Sequence, residues 1–411
     1  MTDSRAAFRY PDFRRYLLVR LLTTVSSEMQ SVAVGWQIYS ITHRPLDLGL
    51  AGLAQFLPAV CLFLLAGHVS DRVPRKRILL ACVIAFSFCS SLLLLLAARE
   101  VSTPYPIYAV LLLNGTVRAF NAPAAQSFLP LILPRDVFAN AVTWNSSAFQ
   151  VSTIAGPMIG GLLYGITGSP KFVYALAMAA YLAGTWALSG VRPPTVERAE
   201  VAKPAALVSA GLRYIWGNKM VLGAISLDLF AVLLGGAVAL LPVYAREVLN
   251  VGATGLGVMR SAPGIGAVLT SVTIAHWPLR RKAGLAMFWC VCGFGLFTVI
   301  FGLSRNLALS VAMLLLLGAS DTVSVIVRST MIQLSTPDSM RGRVSAVNMV
   351  FIGASNEVGQ FESGLTAHWF GAVPAVVLGG VGTVFIVCLW AWLFPGLRRL
   401  DRLETIKTGV T

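Results

Sequence analysis

Residues 67–77 read GHVSDRVPRKR, and the fold follows from what lies on either side of them. Gly67, Ser70, Asp71 and Arg72 end a run from Leu48 to Ala66 that carries no charge. Arg75, Lys76 and Arg77 open another, Ile78 to Ala98, that carries none either. Each run is close to the ~20 residues a helix needs to cross ~30 Å of hydrocarbon. The stretch therefore predicts a tight turn between two membrane helices. Pro74 stops the first from continuing, and the Lys and Arg residues hold the turn in the cytoplasm. Asp71 falls at the end of the first helix, where the helix dipole disfavours an acid that has no basic partner.

The same pattern runs through the chain. Of 411 residues, 56% are hydrophobic and only 12% charged, too few charges to cover a water-soluble surface. Nearly uncharged runs near 16–41, 48–67, 78–98, 105–125, 141–166, 172–190, 219–244, 253–276, 283–303, 307–331, 343–368 and 372–395 predict an all-α membrane protein of twelve transmembrane helices. The polar, Pro-bearing stretch 191–218 divides it into six-helix pseudo-repeats, 1–190 and 219–411, with both termini on the linker's side. The formal charge of +15 has its explanation here and calls for no nucleic acid. Connections on the side of the termini and linker hold most Lys and Arg, whereas the opposite ones hold Arg44, Arg99, Lys171, Arg246 and Arg305. That asymmetry predicts cytoplasmic termini and an integral protein of the bacterial inner membrane. The six Cys lie inside apolar runs without Cys-x-x-Cys spacing, so neither metal nor disulfide is indicated.

The string Gly-x-x-x-Asp-Arg-x-x-Arg-Lys, carried by Gly67, Asp71, Arg72, Arg75 and Lys76, resembles the loop between helices 2 and 3 of the major facilitator superfamily. The resemblance implies the major facilitator fold and a conformational gate in which Asp71 meets the start of helix 11 near Arg341 and Gly342. The corresponding turn of the second half, HWPLRRKAG, keeps its cations but has no acid. In helix 5, Gly156, Pro157, Gly160 and Gly161 form Gly-Pro-x-x-Gly-Gly, similar to the antiporter motif of exporters in that superfamily. Ordinary packing explains any one of these residues alone. The opening helix and the polar helix 11, with Asn356, Glu357, Gln360 and Glu362, resemble the enterobactin-exporter-like branch, which implies efflux of a siderophore, drug or other amphiphile.

Ionisable residues inside the apolar runs are the candidate machinery, because each costs ~2.5–3.5 kcal/mol at the bilayer centre by insertion scales. Glu28, Asp228, Asp321, Glu357 and Glu362 are candidates for carrying a coupling proton, with Glu28 and Asp228 first. Arg118, Arg260 and Arg328 are candidate cavity residues or charge partners, and Asp228 with Arg260 is one candidate static pair. Glu357 and Glu362 project about 140° apart at ~100° per residue, so they are not expected to share a partner. Helices 3, 6, 9 and 12 hold none of these groups, as expected of the superfamily's peripheral helices. Enzyme readings lack support: the only Lys followed by Ser or Thr is Lys407, so no phosphate-binding loop is present, and His43, His68, His276 and His368 have no metal spacing. The expectation is a secondary transporter that needs no cofactor, works as a monomer among lipids and is driven by a proton gradient. An importer or facilitator of a small solute is the alternative on the same fold.

Overall fold

A computed structural model describes residues 5–134, 136–192, 204–277 and 282–401, and among these residues there is no β-strand. The helices in order are α1 (Pro11–Thr42), α2 (Pro45–Cys61), α3 (Phe63–Arg72), α4 (Arg75–Ala98), α5 (Tyr105–Phe128), α6 (Phe138–Thr167), α7 (Pro170–Ser189) and α8 (Pro204–Gly217). They continue as α9 (Lys219–Leu234), the single turn α10 (Leu241–Val243), α11 (Gly252–His276), α12 (Ala283–Leu303), α13 (Leu307–Ser335), α14 (Asp338–Phe370), α15 (Ala372–Leu393) and the short α16 (Pro395–Arg398). Eight stretches among the described residues are long and apolar enough to cross a bilayer. The other predicted spans are α1, α2 with α3, α5 and α14. Three of these are diluted by polar side chains such as Glu28, Arg118 and Glu357, and the fourth is divided at Leu62.

Contacts sort the described residues into two compact units. Those of Met1–His43, Ala54–Val201 and Gly252–Ser261 form the first; those of Arg44–Leu53, Ala202–Val251 and Ala262–Thr411 form the second. In the first, α1 packs on α6 and α7, and α4 packs on α5 and α7. Several polar side chains in this interior pair with one another, as an apolar solvent favours. Gln30 donates to Ser90 Oγ at 2.6 Å, and the Tyr174 hydroxyl donates to Gln37 Oε1 at 2.7 Å. Trp186 on α7 is an exposed aromatic of this unit.

In the second unit α12 packs between α13 and α15, while α9 packs on α14 and α15. Ala224 and Leu227 of α9, Met287 and Val291 of α12 and Met331 of α13 are buried in one cluster. Asn218 starts α9 by accepting from the Met220 and Val221 amides at 3.1 and 3.2 Å, and Asn306 starts α13 in the same way at 2.8 and 3.2 Å. Each satisfies amides that the first helical turn leaves unpaired.

Three elements depart from the sequence reading. The span expected over 219–244 lies within the apolar stretch Lys219–Val248, but its α-helix stops at Leu234; Gly235 and Gly236 follow, then a 3-10 turn, α10 and a π-helical turn over Tyr244–Val248. Adjacent glycines give the chain the freedom to leave the helix there. The span expected over 48–67 is two helices, and the second, α3, runs through Gly67 and Asp71 to Arg72, so the turn itself is only Val73 and Pro74. Within the polar stretch 191–218, residues 193–203 lie outside the described residues, but 204–217 is the helix α8. Pro204 fixes the backbone angle of its first turn. Ile215 is buried with Val344 and Val347 of α14, and a side chain of that kind stabilises by about 1.5–3 kcal/mol when fully buried.

Candidate functional site

Two places bring the ionisable residues together. In the second unit, Asp228 on α9 forms an ion pair with Arg328 on α13. Both side chains are buried, at 9% and 2% exposure, so this pair is shielded from water far more than a surface salt bridge. Asp321, Ser324 and Arg328 stand at i, i+3 and i+7, which puts them on one face of α13. Asp321 lines a small cleft with Asp228 and Ala231 of α9, Phe294 of α12 and Ser324 of α13. The lining mixes apolar Ala231, Val232, Val291 and Phe294 with two serines and two carboxylates, and the guanidinium that pairs with Asp228 stands beside it. The Arg328 Nε is buried without a hydrogen-bond partner, so the cation is not fully engaged by Asp228.

This corrects the pairing expected between Asp228 and Arg260. Arg260, near the start of α11, instead donates to Ser31 Oγ on α1 at 2.7 Å. Spacing along the chain made Arg260 the nearer candidate; packing of α9 on α13 makes Arg328 the actual partner. Glu28 is half-buried in α1, and Arg118 on α5 donates to Gln55 Oε1 at 3.2 Å. On α14, Gln360 donates to Glu357 at 3.4 Å and Thr366 to Glu362 at 2.7 Å, so the two acids turn to different neighbours.

The second place is the crossing of α1, α6 and the first turns of α11. A Cβ on Gly156 would meet the Glu28 Cβ at 2.5 Å, and one on Gly160 would meet the Met29 carbonyl oxygen at 2.8 Å. On the other side, one on Gly161 would meet the Gly257 Cα at 2.6 Å, and one on Gly257 would meet the Pro157 carbonyl oxygen at 2.7 Å. The Gly-Pro-x-x-Gly-Gly string thus presents two bare faces, one to α1 and one to α11. The Ser261 hydroxyl donates to the Ile154 carbonyl on α6 at 2.7 Å, one turn from Pro157, which has no amide hydrogen to donate to the Thr153 carbonyl four residues before it.

The basic residues after α3 act on helix ends. Arg75 donates to the Ser127 carbonyl at the end of α5 at 3.2 Å, and Lys76 donates to the Ser189 carbonyl at the end of α7 at 2.8 Å. Carbonyls there lack intrahelical partners, and a cation also opposes the negative end of the dipole. Arg72 is exposed, and Gly67 lies in α3 with Asp71, whose side chain is outside the described residues. Arg341 donates to the Gln333 and Thr336 carbonyls at 3.0 and 3.2 Å, again at a helix end. Of the second half's turn, Arg280 and Arg281 lie outside the described residues.

Long apolar helices, buried charges in their interior and glycine-lined crossings define a polytopic membrane transporter of the major facilitator superfamily. The solved structures agree. A nucleoside transporter, NupG, matches with TM-score 0.74 at 14% identity over 93% of this chain and 100% of its own. A bacterial homolog of the human lysosomal transporter Spinster, in an inward-facing and occupied conformation, matches with TM-score 0.74 at 12% identity over 97% and 98%. At those identities they speak for the fold alone. The model of the transmembrane secretion effector family matches residues 2–407, and the chain belongs to that family. Among curated relatives, the enterobactin exporter EntS of Shigella boydii serotype 18 is 28% identical over 391 residues, covering 91% of this chain and 86% of the relative. The protein of the same name from Escherichia coli matches equally, at 28% over 391 residues.

Proposed function

We propose that this protein is a proton-coupled exporter that moves a siderophore, drug or other amphiphilic small molecule out of the cytoplasm by alternating access. The efflux direction and the substrate class are supported by the relatives named enterobactin exporter and by the secretion family. On this reading it sits in a bacterial inner membrane with both termini cytoplasmic, as the distribution of Lys and Arg supports. It acts as a monomer, changes no covalent bond and takes the proton gradient as its only energy source.

The observation that carries the coupling step is the cleft lined by Asp228 and Asp321, with Asp228 paired to Arg328. Two carboxylates beside one guanidinium leave one negative charge over, and one proton balances it. Asp228 is held by Arg328, so Asp321 is the acid left to take that proton from one side and give it up on the other. On this reading Asp321 comes ahead of Glu28 and Asp228 as the carrier. Enterobactin loaded into proteoliposomes provides the test. Asp321→Asn should abolish efflux driven by an inward proton gradient and retain gradient-free exchange of enterobactin across the membrane. Retained driven efflux would move the coupling site to Glu28 or Glu357, and accumulation only in the opposite gradient would make the protein an importer.

A further inference from the structure

The first unit holds a second pocket that the coupling cleft does not include. It lies among α1, α5 and α6, lined by Tyr16, Arg20, Arg118, Asn121, Gln126 and Asn145. On α5, Arg118, Asn121 and Gln126 fall at i, i+3 and i+8, within one helical face, so the stripe is a consequence of the sequence spacing. The Ala122 and Ala125 positions between them carry only methyl groups and leave the space open. Tyr16 and Arg20, one turn apart on α1, close one side, and Asn145 of α6 closes another.

The lining has two cations and no acid. A guanidinium inside a membrane protein ordinarily finds a carboxylate, a carbonyl cluster or water. Among the described residues Arg118 donates to the neutral Gln55 amide, and Arg20 rests over the Phe149 ring with its Cζ 5.6 Å from the centroid. The Arg20 Nε is buried with no hydrogen-bond partner, and so is the Asn145 Oδ1. These two vacancies have opposite chemistry: the first wants an acceptor, preferably anionic, and the second wants a donor. The Tyr16 hydroxyl does not fill either, since it donates to the Ala125 carbonyl at 3.1 Å.

We propose that this pocket binds an organic anion that carries a hydroxyl donor beside its anionic oxygen, with the anion on Arg20 and Arg118 and the hydroxyl on Asn145. The Tyr16 ring and the methyl groups of Ala122 and Ala125 give the carbon frame of such a ligand an apolar seat. Two sources have this chemistry. One is the transported molecule itself, which makes the pocket its anchoring subsite. The other is a lipid headgroup such as phosphatidylglycerol, with a phosphate and neighbouring hydroxyls. The proposal rests on the transport reading only for the first source.

Equilibrium binding separates it from the coupling step, because no gradient enters the measurement and a failure at Asp321 leaves it standing. The full chain in phosphatidylcholine nanodiscs is titrated with radiolabelled salicylate, which has a carboxylate and an ortho hydroxyl. Saturable binding is expected, weakened at least tenfold in Arg20→Gln and in Arg118→Gln. Benzoate, without the hydroxyl, and salicylamide, without the charge, should compete more weakly than salicylate. Lys171→Gln, which removes a cation paired with Glu100 at the surface, should bind as the unaltered protein does. Arg20→Lys should recover part of the affinity, since it restores charge without the planar fork. Should Arg20→Gln fail to give monodisperse protein, Arg118→Gln decides, because that side chain is exposed. Displacement by enterobactin assigns the pocket to the transported molecule, and displacement by phosphatidylglycerol assigns it to lipid. Salicylate binding unchanged in the monodisperse Arg variants, or salicylamide binding as well as salicylate, would overturn the proposal.

Discussion

Gly161 on α6 and Gly257 on α11 meet backbone to backbone: a side chain on Gly161 would meet the Gly257 Cα at 2.6 Å, and one on Gly257 would meet the Gly161 Cα at 2.9 Å. A methyl group at either place has no flexible neighbour to push aside, since both contacts are main chain. Membrane helices without a hydrophobic drive to associate depend on this kind of close approach.

The first prediction follows. Gly161→Ala and Gly257→Ala should each destabilise the purified protein by about 1–3 kcal/mol, the usual cost of over-packing, and transport should fall with it. Gly353→Ala is the control, because a Cβ there meets nothing within 4 Å. Thermal unfolding of the three variants side by side checks the contrast. Equal midpoints in all three would show that the crossing has slack that the distances do not suggest.

The ion pair gives a prediction about stability that is separate from coupling. Asp228→Asn leaves the Arg328 guanidinium, 2% exposed, without its counter-charge. Removing one partner of a buried pair costs about 3–5 kcal/mol, because the remaining charge cannot return to water. Asp321→Asn removes an acid that Arg328 does not hold, so its thermal midpoint should stay near that of the unaltered protein. Replacing both partners, Asp228→Leu with Arg328→Met, should recover much of the lost stability. A double variant no more stable than Asp228→Asn would refute this account.

How much of this was legible in the sequence differs from element to element. The membrane class and the basic turns were, because hydropathy and charge depend on composition along the chain and not on packing. Gly156, Pro157, Gly160 and Gly161 stood out as a string, yet their division between α1 and α11 depends on how α6 is rotated. Arg328 could not be told from Arg260 as the partner of Asp228, since pairing across helices is set by which faces meet. The α8 helix was hidden among prolines and charges that average to a linker. The break at Gly235–Gly236 had a signal, two adjacent glycines, that the apolar run around it outweighed. The pocket at Arg20 and Arg118 was also within reach: Arg118, Asn121 and Gln126 repeat on one face of α5. Arg118 is a lone charge in its run, and the neutral amides beside it carry no charge signal of their own.

Around residues 67–77 the capping geometry and the expected gate make different demands. Arg75 and Lys76 hold the ends of α5 and α7, where one exposed cation contributes about 0.3–1 kcal/mol. Lys76→Gln should therefore lower stability by no more than that amount, and Lys76→Arg should be neutral. Asp71→Asn, by contrast, is expected to slow turnover several-fold while the apparent affinity for substrate stays near its unaltered value. Transport kinetics of the two variants in proteoliposomes distinguish capping from gating. Normal turnover in Asp71→Asn would remove the gate role from this loop.

The break after α9 supplies the last prediction. Asp228 lies two turns before Gly235, on the short helical half that ends there. A Cβ on Gly236 would meet Ser363 Oγ at 2.6 Å and the Gly359 carbonyl oxygen at 2.9 Å, both on α14. Gly235 is closed in as well, by the Phe294 ring at 2.5 Å and by the Ala231 carbonyl oxygen at 2.8 Å. Phe294 also lines the cleft that holds Asp321, so the break and the carboxylates share a wall. A side chain on Gly236 must displace α14 or straighten the segment, and either change alters the conformational step more than the proton. Gly236→Ala should thus lower proton-driven efflux and gradient-free exchange by the same factor, roughly tenfold for about 1.4 kcal/mol of added barrier. Asp321→Asn should separate the two activities, losing the first and keeping the second. Measuring both activities in both variants, with the same proteoliposome preparation, reads the difference directly. Exchange that survives in Gly236→Ala while driven efflux is lost would assign the break to the coupling step and not to the movement of the helices.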